Sequence, residues 1–147
     1  MNPLSNTYSD DFPLQDEVED FSGTIRSFMI TCHVGGLGYT VRAVEEGTDG
    51  FGYEFSAYSE TSPYSALGRL RTNMHRALST RHITRSDGYT SMLHDSLRGR
   101  ITVDDTGDPI LVVDGIPLDM DELAFILQGL EGWEFKLTII DTPNPYG

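Results

Sequence analysis

The chain is poor in several residue types that mark out function. It has one cysteine, Cys32, so no internal disulfide framework and no multi-cysteine zinc site can form. It has one lysine, Lys136, and nine arginines against 23 acidic residues, for a formal net charge of −13 over 147 residues. That balance opposes binding to an extended polyanion, because the long-range field repels a nucleic acid. No run approaches the ~18–20 apolar residues of a membrane span, so no membrane association is expected. The first residues, Met1-Asn2-Pro3-Leu4-Ser5, lack the basic and apolar regions of a secretory signal. A reducing, cytoplasmic setting is therefore expected.

Catalytic signatures are also missing. The chain has no Gly-x-Ser-x-Gly, no Walker loop and no dinucleotide fingerprint. Its cluster Gly35-Gly36-Leu37-Gly38 precedes a strand pattern rather than a helix. No cofactor, no catalytic residue and no metal site are assigned. Asp104, Asp105 and Asp108 surround Gly107 but lack the alternating ligands and closing Glu of a calcium loop, so an Asp/Gly turn accounts for them. Cys32 alternates with Ile30 and Val34, which predicts a buried, inert thiol.

What is present is an uneven charge. Residues 1–68 and 101–147 are acidic, whereas residues 69–100 hold seven arginines and two acids, with His75, His82 and His94 in the same window. One reading is internal neutralisation of acidic neighbours. The other is a small anionic-ligand site, for which Arg69, Arg71, His75, Arg76 and Arg81 are the candidates, with Trp133 as a pocket wall. A third possibility is a small enzyme using the His and Asp residues of 75–95 (His75, His82, Asp87, His94, Asp95). Their spacings match no standard metal motif.

Residues 1–22 carry six acids, two prolines and no base, and read as a flexible acidic arm. From Thr24 the chain alternates. Phe28, Ile30, Cys32 and Val34 mark one strand, Tyr39, Val41 and Ala43 a second, and Phe51, Tyr53, Phe55 and Ala57 a third. Ser62-Pro63 starts a helix whose Leu67, Leu70, Met74, Ala77 and Leu78 form an apolar stripe. Residues 80–97 form a junction, with a turn at Arg85–Gly88 and a short helix over Tyr89–Leu97. Strands follow at Arg100–Val103 and Ile110–Val113, closed by the turn Asp114-Gly115. Asp119-Met120-Asp121-Glu122 is a capping box opening a second helix, with Leu123, Ile126, Leu127 and Leu130 as its stripe. Trp133, Phe135, Leu137 and Ile139 then alternate as a last strand.

The expected architecture is α+β, with a mostly antiparallel sheet in the order β-β-β-α then β-β-α-β and helices on one face. A single domain over 23–142 is expected, with possible sub-lobes 23–80 and 98–142 and a tail over 143–147. Half-chains below ~70 residues struggle to bury a core, which favours one unit.

Asp114-Gly115, a capped helix, and Glu131-Gly132-Trp133-Glu134-Phe135-Lys136-Leu137-Thr138-Ile139-Ile140-Asp141 together carry a resemblance. Over about residues 98–141 the chain resembles an uncharacterised bacterial domain family with the signature Asp-Gly, helix, Glu-Gly-Trp-x-Phe-x-Leu-x-Ile-x-Asp. The resemblance implies no activity and transfers no catalytic residue. The first half, with strands joined by Gly47-Thr48-Asp49-Gly50 before a helix, resembles small HicB-like antitoxin folds in topology only. From size and charge, the expected function is a non-catalytic acidic module. It would bind or inhibit a protein partner with a basic surface, in the manner of an immunity protein or antitoxin.

Overall fold

A computed structural model describes residues 11–141. The fold is α+β, with two helices and three antiparallel sheets. The described residues fall into two compact units, one of residues 11–50, 54–79 and 140–141, the other of Phe51–Tyr53 and Thr80–Ile139.

The first unit is a four-stranded meander in the order β1-β2-β3-β4. Its strands are β1 (Leu14–Glu19), β2 (Ile25–Val34), β3 (Tyr39–Glu45) and β4 (Glu54–Ser59). Helix α1 (Pro63–Leu78) packs on the sheet. Strand β1 corrects the expected arm, since residues 14–19 pair in register with β2 from Leu14↔Ile30 to Glu19↔Ile25. Its acids hid the period: Gln15, Glu17 and Glu19 are exposed, while Val18 is buried with Leu14 and Asp16 partly so. Residues 1–10 of that arm, and the tail over 143–147, lie outside the described residues.

Helix α1 starts as its sequence dictates. The Ser62 hydroxyl accepts the Tyr64 amide, and Pro63 occupies the first turn, where its missing N–H loses nothing. Ala66, Leu67, Leu70, Met74 and Leu78 are buried on its inner face, alongside Phe28, Ile30, Val41, Ala43 and Ala57 of the sheet. Phe28 and Phe55 meet at 6.0 Å between ring centroids. The amide of Phe21 donates to the Leu78 carbonyl at 2.7 Å and pins the β1–β2 turn to the end of the helix.

A charged node closes that turn. Asp20, with its side chain almost wholly buried, accepts the Arg26 Nε at 2.8 Å, and Arg26 also donates to Glu45 at 2.9 Å. The Asp20 carboxylate further takes the Ser22 amide and hydroxyl and the Thr24 amide. Burial opposes its ionisation, but the hydrogen bonds from Ser22, Arg26 and the Ser22 and Thr24 amides outweigh it and bring its pKa down to about 2.

The second unit holds a hairpin, β5 (Ile83–Ser86) with β6 (Tyr89–Met92), and a sheet in the order β7-β8-β9. The latter comprises β7 (Gly99–Val103), β8 (Pro109–Val113) and β9 (Ile116–Leu118), followed by α2 (Met120–Leu127). The short helix expected over 89–97 is instead strand β6 and an irregular stretch. Asp87-Gly88, both at positive φ (54° and 78°), make a two-residue turn whose twist matches paired strands. Asp114-Gly115 (55° and 73°) repeat the device between β8 and β9. The capping box forms: Asp119 accepts the Glu122 amide at 2.8 Å. Ile83, Val113, Leu118 and Ile126 are the core, flanked by Met92, Leu97, Leu111 and Ile116.

The expected last strand does not pair. Among the described residues, 133–140 belong to no helix or strand, and the side chains of Trp133, Phe135, Leu137 and Ile139 are exposed.

The Asp20 node generates a pH prediction. Its folded-state pKa lies below the ordinary 3.8. The associated stability is therefore present above pH ~4 and lost as pH falls towards 2. Asp20→Asn should lower unfolding stability by about 2 kcal/mol at pH 7, the size of the pKa shift. Urea unfolding of the two proteins at pH 7 and at pH 2 should show that gap shrinking in acid.

Candidate functional site

The sequence-derived site residues occupy different elements. Arg69, Arg71, His75 and Arg76 lie exposed on α1 in the first unit; Arg81 and Trp133 belong to the second. The Arg69 guanidinium donates to the Tyr58 carbonyl. Arg71 holds Asp16 through two parallel bonds of 2.9 and 3.0 Å, a fork on a carboxylate. Arg81 donates to the Ile83 carbonyl at 2.9 Å and to the Thr84 hydroxyl at 3.2 Å. Elsewhere in the basic window, Arg85 reaches Glu122 at 3.1 Å, and Arg100 donates twice to the Gly52 carbonyl at 3.0 and 2.8 Å.

Two clefts stand out among the described residues. One, of about 290 Å³, is lined by Gly88, Tyr89, Thr90, Asp119, Asp121, Glu122 and Phe125, with the Tyr89 and Phe125 rings stacked at 5.1 Å. The other, of about 170 Å³, is a depression lined by Thr31, His33, Thr40 and Arg42. None of the six candidate site residues lines either cleft.

Of the histidines in the basic window, His82 is the one in a defined polar arrangement. Its Nδ1 lies 2.8 Å from Asp114 Oδ1, while Asp114 Oδ2 accepts the amides of His82 and Ile83 at 2.8 and 2.9 Å. A carboxylate can only accept, so the proton of a neutral His82 ring sits on Nδ1 and Nε2 is left as the acceptor. That orientation is the one a general base requires. Yet His82 lines neither cleft, and no hydroxyl or thiol shares a hydrogen bond with it. Asp114 is buried, and its carboxylate is committed to two amides and one imidazole. The arrangement ties the segment entering β5 to the β8–β9 turn. Sequence reasoning assigned Asp114 to a turn and missed this bond, because its partner lies 32 residues away.

The remaining acids also turn inward on the backbone. Asp104 Oδ1 accepts the Thr106 hydroxyl and the amides of Thr106 and Asp108 at 2.7, 2.9 and 3.0 Å. Led by the Thr106 hydroxyl, these bonds hold its carboxyl below the usual range. Among the described residues no group of three or more His, Cys, Asp or Glu side chains is placed to hold a metal ion. Burial pushes the half-buried Cys32 thiol up, away from thiolate chemistry.

The first sheet also has a face turned away from α1. Register places Gln15, Glu17 and Glu19 of β1, Met29, Thr31 and His33 of β2, Thr40 and Arg42 of β3, and Ser56 and Tyr58 of β4 opposite the α1 side. Arg42 there is paired with Glu54.

Comparison with known proteins gives two adjacent matches. Residues 10–79 match the model of a domain of unknown function (DUF7686), and residues 80–143 match that of a second domain of unknown function (DUF7713). The break between them coincides with the break between the compact units at Ser79 and Thr80. No curated protein and no solved structure matches the chain. No helix among the described residues is long and apolar enough to cross a membrane.

Removing the Asp114 carboxylate strands two buried amides. Asp114→Ala should destabilise by about 2–4 kcal/mol in denaturant unfolding. Asp114→Asn keeps one acceptor and a residue tolerant of positive φ, and should lose less. Amide exchange at His82 and Ile83 should accelerate in both.

Proposed function

We propose that the chain is a non-catalytic acidic binding module that docks a protein partner with a basic surface, in an inhibitory, immunity- or antitoxin-like role. The observation that carries this reading is the open face of the β1–β4 sheet. Helix α1 packs on the other side, and the open side offers mixed polar surface with Glu17 and Glu19 in one column and a depression at Thr31, His33, Thr40 and Arg42. Antiparallel sheets of this kind commonly keep one solvated face. A net charge of −13 would steer a cationic protein towards it and raise the on-rate. A cytoplasmic setting accords with this reading.

A small anionic ligand on the Arg-rich segment 69–100 has less support. Arg71 and Arg85 are paired with carboxylates, and Arg81 and Arg100 donate to backbone carbonyls. An enzyme built on residues 75–95 finds its best-placed group, His82, outside both clefts.

The test compares equal charge removal in two places. Glu17→Gln with Glu19→Gln alters the open face, and Glu60→Gln with Asp105→Asn alters other exposed acids. Binding of a labelled Lys/Arg-rich peptide is then followed by fluorescence anisotropy at two salt concentrations. The face variant should bind roughly tenfold more weakly and the control less than about threefold. Equal weakening would mean that net charge alone attracts the probe, and would remove the docking face from the reading.

A further inference from the structure

The depression on the open face of the β1–β4 sheet, about 170 Å³ in volume, is lined by Thr31 and His33 of β2 and by Thr40 and Arg42 of β3. Register makes these four a closed set. Thr31 is directly opposite Arg42, and His33 directly opposite Thr40. Opposed side chains start about 5 Å apart, and same-face neighbours along a strand about 7 Å apart. The four thus stand at the corners of a rectangle whose centre is roughly 4 Å from each corner. One small ion above that centre is within hydrogen-bonding reach of all four side chains.

Each of the four can donate a hydrogen bond, and none is a carboxylate. Three of them are unspent: the Thr31 and Thr40 hydroxyls and the His33 ring have no hydrogen-bond partner among the described residues. Threonine hydroxyls elsewhere are engaged, Thr48 with the Glu45 carbonyl, Thr72 with the Gly68 carbonyl and Thr106 with Asp104. Arg42 gives its Nη2 to Glu54 and keeps the N–H groups of Nε and Nη1. Donors gathered with no acceptor between them suit an oxyanion.

We propose that this depression binds a small oxyanion of the phosphate class, either free phosphate or the terminal group of a phosphomonoester. The Thr31 and Thr40 hydroxyls, the His33 ring and the Arg42 guanidinium each donate to one of its oxygens. A carboxylate, with two oxygens, would be satisfied by Arg42 alone, whereas a tetrahedral ion engages all four corners. The net charge of −13 opposes an anion only at long range. Glu17 pairs with Ser27, four residues before Thr31, which puts it about 14 Å along the strand. The screening length at physiological salt is about 8 Å. Glu46, four residues beyond Arg42, is held by Gln15, and Glu54, which is closer, is neutralised by Arg42. The site shares a face with Glu17 and Glu19 but uses neither, so it stands or falls separately from the docking of a basic partner.

Titration of the isotope-labelled full chain with inorganic phosphate, followed by amide NMR at constant ionic strength, tests it. The expected result is saturable shifts centred on the amides of Thr31, His33, Thr40 and Arg42. Arg42→Gln combined with Glu54→Gln removes the guanidinium at constant net charge, and should weaken phosphate binding at least about tenfold. Thr31→Val with Thr40→Val keeps β-branched residues in both strands and should weaken it several-fold. Arg98→Gln, at an exposed arginine of the second unit, should bind as the wild type does. Glycerol 3-phosphate separates the two sources: tighter binding than inorganic phosphate assigns a phosphomonoester, and equal or weaker binding assigns the free ion. The proposal is overturned by an absence of saturable shifts, by shifts centred elsewhere, or by acetate binding as tightly as phosphate. It is overturned equally if either double variant binds phosphate as tightly as the wild type.

Discussion

The inner side of the β1–β4 sheet and the α2 side of the β7–β9 sheet each present apolar side chains to cover, and the length of the helix available decides how far that succeeds. Helix α1, at 16 residues, is about 24 Å long and reaches from β4 across β3 to β1. Its inner stripe leaves Phe28, Ile30, Val41 and Ala43 fully buried. Helix α2 has eight residues, about 12 Å, and packs on β6, β8 and β9 without extending over β7. On the α2 side the second unit accordingly has a cluster of four buried residues and an apolar margin at Ile101 and Val103, while Ile110 and Val112 are buried on the other face of β8.

The charge distribution follows a different logic from the one net charge suggests. A carboxylate is a cheap way to end a turn, because one side chain can satisfy several backbone amides at once. Asp20, Asp104 and Asp114 act in this way, Asp119 caps α2 through the single Glu122 amide, and Asp16 and Glu45 are taken by arginines. Part of the acidity in this chain is thus architectural. What is left to meet a partner is the set of exposed acids outside these turns and pairs, such as Glu17 and Glu19.

Legibility in the sequence tracked how local each determinant is. Helix α1 was readable because its cap, its proline and its stripe lie within 16 consecutive positions, and α2 because its capping box is four residues long. Strands β2 and β3 show their alternation directly, and β8 shows as an apolar run. Strand β1 is hidden, since of its inward positions Leu14, Asp16 and Val18 one is a carboxylate, whose fitness for the inner face depends on Arg71, 55 residues away. The β5–β6 hairpin was mistaken for a turn and a helix because Met92, Leu93 and Leu97 mimic helical spacing, although Asp87-Gly88 is the stronger local signal.

The same distinction separates the parts of the candidate sites that were legible from those that were not. Seven arginines in one window look like a cluster on paper, but side chains on α1 and on β5–β7 belong to different units, and most find separate acceptors within their own. Conversely, His82 and Asp114 share no sequence neighbourhood and still meet, because a positive-φ Asp-Gly turn offers its carboxylate to whatever backbone enters beside it. Alternation at 133–139 has the period of a strand, yet the described residues there join no sheet; what a pattern of period two cannot encode is whether a neighbouring strand is there to pair with.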